Sequence, residues 1–167
     1  MPDAGPLNAF AEWIATTWLA HLIGGHMWAI PTIQSFHYMS LAILFSTAVV
    51  VDLRILGLIA RHQTLSSLTT RLTPGIWIGL TGAALTGLLL MIAEPVRSIT
   101  TWEFQSKMVM LVIVVILTVS LKRTVVANAA QWDAAPAAPG GARVAAVSSM
   151  ALWMLIILAG RWIAYHA

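Results

Sequence analysis

His37 sits in a long, largely apolar run that starts at Pro31 and meets no formal charge before Asp52. A histidine there faces lipid unless the protein takes it inside, and ionisable groups at such depth mark sites for an ion, a proton or a cofactor. At about 1.5 Å of rise per residue, His37 lies about 9 Å below the end of a helix beginning at Pro31. Glu94 and Arg97 close the next apolar run at the same level, Lys107 opens the third, and Arg161 stands near the end of the fourth. Met91 and Met108 are one to two turns further in, near the depth of His37. Such a rim suits a b-type haem, with an imidazole nitrogen as axial ligand and cations meeting the propionates at the membrane surface. His37 is then the ligand, Lys107 and Arg161 steer the propionates, and Glu94, beside Arg97, orients one of those cations. The second ligand stays open among Met91, Met108, a folded-back His26 and a five-coordinate iron.

Copper is the alternative cofactor. Thioether and imidazole favour Cu(I), and His21, His26, Met27, His37 and Met39 crowd the outer half of the first segment. Met39, two positions from His37, projects from a different helical face, and methionines in apolar helices more often pack than ligate. Plain structural readings stand beside these. His37 could bond Ser35, Thr81 or a backbone carbonyl; Glu94 and Arg97 could be an exposed helix-end pair. Asp52 and Arg54 read most simply as a cap and topology anchor at the opposite end, and His62 and His166 need no function.

The elements that position these residues follow from composition. Of 167 residues, 59% are hydrophobic and 9% charged, which places the chain among membrane proteins. There is no cysteine, which excludes disulfides, thiolate metal sites, iron–sulfur clusters and c-type haem attachment. The cations are spread over the connections between apolar runs, so they read as a topology signal and not as a nucleic-acid footprint. Four runs, 31–53, 75–93, 104–121 and 144–163, each approach the roughly 20 helical residues needed to cross a bilayer. The expected fold is all-α: a single membrane domain over 1–167 forming an integral four-helix bundle, with an N-terminal interfacial amphipathic helix at 7–29. In that helix Trp13, Trp18 and Trp28 sit at headgroup depth, and without a basic n-region it is expected to be retained. Pro136, Pro139, Gly140 and Gly141 mark a flexible connector. The positive-inside rule puts Arg54, Arg61, Arg71, Lys122, Arg123 and Arg143 in the cytoplasm, hence a bacterial inner-membrane protein with both termini periplasmic.

Gly75, Gly79, Ala83 and Gly87 recur every four residues and leave one bare stripe on the second span. Close helix packing explains such a stripe; so does a flat cofactor, with the Gly79 to Gly87 face admitting the porphyrin edge. A hydrolase or transferase is disfavoured, since no nucleophile with a positioned base, phosphate-cradling loop or paired in-membrane carboxylates occur.

The runs "PTIQSFHYMSLAILFSTAVVVDLRILGL", "AEPVR", "FQSKM" and "ALWMLIILAGRWIAY" resemble a family of bacterial four-helix inner-membrane proteins, distantly similar to CopD-type copper-resistance membrane proteins and to cytochrome b561-like bundles. The resemblance spans about Trp28 to Tyr165 and rests on His37, Asp52, Arg54, Glu94, Arg97, Lys107 and Arg161. The expected function is haem b binding near the periplasmic face with single-electron transfer, an electron carrier more than a catalyst. Copper handling and a non-catalytic subunit of a larger membrane complex are the alternatives. The expected partners are the lipid bilayer and a periplasmic redox protein or larger complex, with a homo-oligomer compatible and nucleic acid excluded.

Overall fold

The computed structural model describes residues 5–135 and 138–162, without the side chains of 103 and 160–162. The described residues form eight helices and no strand: α1 (Pro6–Ala15), α2 (Trp18–Gly24), α3 (Ala29–Ile55), α4 (Leu65–Ala93), α5 (Pro95–Thr100), α6 (Trp102–Ala127), α7 (Ala129–Ala134) and α8 (Gly140–Trp162). Four of them, α3, α4, α6 and α8, are long and apolar enough to cross a membrane. They pack as a ring in which α3 lies most extensively on α4 and α6 on α8, with α3–α8 and α4–α6 contacts closing it. Short connections make successive spans antiparallel. The outer faces carry Ile78, Leu85, Val112, Ile116, Val147 and Leu158, all exposed, as a surface solvated by acyl chains requires.

The interior stripes are regular. Ala142, Ala146, Ser149, Trp153 and Ile156 line the inner face of α8, and Leu44, Ala48, Val51, Asp52 and Ile55 that of α3, at the three- and four-residue steps of one helical face. They build two apolar clusters. Leu44, Ala48, Ile76, Val114, Trp153 and Ile156 fill the middle, while Val51, Ile55, Leu65, Leu121, Val125, Ala142 and Ala146 fill the end that holds the arginine-rich connections.

The spans are longer than hydropathy alone implies. α4 starts at Leu65 instead of Gly75 and runs through Pro74. Membrane helices tolerate an internal proline where hydroxyls and neighbours satisfy freed backbone groups, and here Thr69 and Thr73 bond the carbonyls four residues back at 2.8 Å each. α3 ends in a left-handed Gly57, φ 73°, with Gly57 N–H on the Arg54 carbonyl and Leu58 N–H on that of Leu53, 3.0 Å each, the paired bonds of a Schellman terminus. The N-terminal segment is two helices, not one. Thr17 accepts from the Ala20 amide at 3.4 Å and starts α2, α1 lies mainly against α5, and Trp13, Trp18 and Trp28 stay exposed.

α7 ties the two hairpins together. Asp133 accepts from the Ser66 amide at 3.1 Å and from the Ser66 hydroxyl, in the first turn of α4. Burial alone would raise this carboxyl. The Ser66 bonds, the Leu65 amide and the charge of Arg54 outweigh it and hold Asp133 below the usual carboxylate range.

Candidate functional site

The α3–α4 seam sets the position of His37. Successive contacts along it pair Thr47 with Gly75, Leu44 with Gly79, Ser40 with Gly82 and His37 with Gly87, an antiparallel register that advances evenly. A Cβ on Gly79 would stand 2.6 Å from the Leu44 amide nitrogen, and one on Gly75 2.6 Å from Thr47 Cγ2. The bare stripe is therefore filled at Gly75 and Gly79 by α3 itself. Of the two explanations of the stripe, the structure adopts helix packing there.

His37 is half-buried on α3, and its Nδ1 lies 2.9 Å from the Thr86 hydroxyl. That hydroxyl donates its one proton to the Gly82 carbonyl at 2.6 Å, so it accepts from the ring and Nδ1 carries the ring proton. In the neutral imidazole Nε2 is then the bare nitrogen, the one with a lone pair for a metal or a proton. Gly87 allows the ring this close, since a Cβ there would be 3.3 Å from Cε1. Of the partners expected from sequence, Ser35 bonds the Pro31 carbonyl at 2.9 Å and Thr81 is exposed, while a backbone carbonyl, that of Ala83, is within reach of the ring.

The other rim residues gather only in part. Lys107, partly buried on α6, is near enough for its charge to act on the His37 ring. Glu94 and Arg97 form an ion pair of 3.1 Å with both side chains over 40% exposed, so Glu94 serves Arg97 and not Lys107. Arg161, Trp162, Tyr165 and His166 lie outside the described side chains. Met91 is partly buried and Met108 exposed. His26 is exposed, with Nδ1 on the Leu22 carbonyl at 2.8 Å. Met27 and Met39 are 95% and 62% exposed. Among the described residues no group of three or more His, Cys, Asp or Glu could hold a metal ion.

Asp52 departs from its sequence reading. It does not pair with Arg54, whose guanidinium bonds the Gln63 carbonyl at 2.7 and 3.2 Å. It points into the bundle, 3% exposed, beside Ser149 of α8. Its Oδ2, Thr118 Oγ1, Ser149 Oγ and Trp153 Nε1 are all buried without a hydrogen-bond partner. The signal lay in the sequence: Leu44, Ala48, Asp52 and Ile55 share the inward face of one helix.

No curated protein and no solved structure matches the chain. With a family model matching residues 10–166, nearly its whole length, the chain belongs to DUF6644, a family of unknown function.

Proposed function

We propose that this protein is a four-helix membrane electron carrier that binds haem b through Nε2 of His37. The observation that carries the reading is the 2.9 Å contact of Nδ1 with the Thr86 hydroxyl, itself bonded to the Gly82 carbonyl: Nδ1 as the donor leaves the opposite nitrogen bare, as an iron ligand would need to be. Haem, when bound, supplies a one-electron couple. The chain supplies orientation through Thr86, close ring placement through Gly87, and cationic charge for propionates through Lys107, with Arg161 in the same role. Because α3 fills the glycine stripe at Gly75 and Gly79, the group would stand outside the α3–α4 seam, with the thioethers of Met91 and Met108 as candidates for the second ligand. Distant kinship with CopD-type and cytochrome b561-like bundles belongs to this reading. So does the placement: arginine-rich connections in the cytoplasm, both termini periplasmic in a bacterial inner membrane, and α1–α2 lying in the outer interface with Trp13, Trp18 and Trp28 at headgroup depth.

The test is a visible spectrum of detergent-purified protein expressed with ample haem supply, oxidised and dithionite-reduced, with pyridine hemochrome and copper analysis on the same sample. A b-type Soret and α band should appear and be lost in His37→Ala. Thr86→Val should keep the band but weaken haem affinity about 10- to 100-fold, the usual cost of losing an orienting partner. A colourless protein, or a Soret unchanged in His37→Ala, overturns the reading.

A further inference from the structure

Asp52, near the other end of α3, has no part in haem binding. About 22 Å of helix rise separates His37 from Asp52, so a role for Asp52 is independent of whether haem binds. We propose that Asp52, with Thr118 and Ser149, is a proton-exchange site inside the arginine-rich end of the bundle, its carboxyl loading and unloading through water in the cavity beside Lys122.

Three observations converge. First, the carboxyl is 3% exposed and has no counter-ion; among the described residues the ion pair is Glu94 with Arg97, at the opposite end. An ionised carboxylate there is an unpaired buried charge, whereas the acid form is neutral and gains an O–H donor. Second, the neighbours are hydroxyls from two other helices: Thr118 on α6, buried without a partner, and Ser149 on α8, close enough to interact with the carboxyl. A hydroxyl accepts from the acid or donates to the carboxylate, so this surround serves both protonation states. Third, Asp52 and Thr118 share a cavity of about 10 Å³ with Ala48, Ile76, Leu121 and Lys122, about the room one water molecule requires.

The groups facing Asp52 favour a proton over a metal cation. Lys122 on the cavity wall has its Nζ 5.7 Å from the Trp77 ring centroid, and an ammonium offers a cation no lone pair. Trp153 Nε1 only donates. One carboxylate and two hydroxyls fall short of the oxygen shell that a hard cation takes. On α3 Arg54 is turned to Gln63, α4 contributes apolar Ile76, and α8 contributes neutral Ser149. The chemistry is acid–base exchange with water alone: hydronium gives its proton to the carboxylate, leaving the acid and water, and the reverse step regenerates both.

Infrared spectroscopy of the full chain in lipid nanodiscs reads this site directly. At neutral pH a protonated-carboxyl C=O band should be present, shift on transfer to D2O, and be absent from Asp52→Asn. Thr118→Val should keep the band and slow its exchange several-fold. Should Asp52→Asn fail to fold, ¹³C-aspartate labelling of an Asp3→Asn variant assigns the band, since the other remaining aspartate, Asp133, is held ionised by its Ser66 bonds. Absence of the band means an ionised Asp52 and overturns the proposal. A band that never exchanges means a sealed structural acid and overturns it equally.

Discussion

His37 and Asp52 stand near opposite ends of α3, and the bundle treats them oppositely. At one end His37 is half-exposed and bonded to Thr86 across a seam where glycines bring the backbones together. At the other Asp52 is fully enclosed and left with an unpartnered oxygen beside a small cavity. Close backbone approach fixes a side chain's orientation, which suits a ligand. Enclosure without a partner sacrifices stability and leaves a group whose state depends on water. The two ends also differ in closure: glycine contact locks the His37 end, whereas hydrogen bonds from Ser66 of α4 to Asp133 of α7 draw the connections of the Asp52 end together.

Three perturbations bear on that contrast, the strongest first. Gly79→Ala places a methyl 2.6 Å from the Leu44 nitrogen and 2.8 Å from its Cα, backbone atoms that cannot turn aside. The helices must part, and the His37–Thr86 bond goes with them. The expected loss is about 3 kcal/mol, the upper part of the range for overpacking, read as a lowered melting temperature in detergent. Gly140→Ala, with nothing within 4 Å of the new Cβ, serves as the control; equal melting of the two variants would break the description of a locked end.

Asp133→Asn tests the tether. The expected cost is about 1 kcal/mol, the ordinary worth of a helix cap. Its pH dependence follows from the lowered carboxyl: the contribution is complete above the ordinary value of 3.8 and is lost as pH falls below it, through the folded value. Melting curves of wild type and variant should therefore differ by a constant amount near neutrality and converge in acid. A gap that persists in strong acid would assign the effect to something other than the carboxylate. Glu94→Gln should do least, well under 1 kcal/mol, because its pair with Arg97 is exposed on both sides; a larger fall would show that the His37 rim is held by charge as well as by glycine.

Much of the bundle was legible in the sequence, because long apolar runs report directly on membrane spans. The early start of α4 was hidden by Ser66, Ser67, Thr69, Thr70 and Thr73, which lower hydropathy yet continue the helix. His37 was visible by its depth, but its partner was not: Thr86 is 49 residues away and is identified only once the seam's register is known. Asp52 was visible by its position on the inward stripe, yet its nearness to a helix end and to Arg54 suggested a surface anchor. Short connections and local charge patterns predict neighbours along the chain, not which groups a bundle encloses.

The tether from α7 also bears on biogenesis. A chain inserted into the membrane as it is synthesised presents its first hairpin, α3 and α4, before Asp133 has been made. The first turn of α4 therefore waits for its acceptor until α6 has crossed and α7 has emerged on the same side as the α3–α4 connection. The hydrogen bond can therefore close only when both α4 and α6 have crossed and returned the chain to the side where Ser66 began.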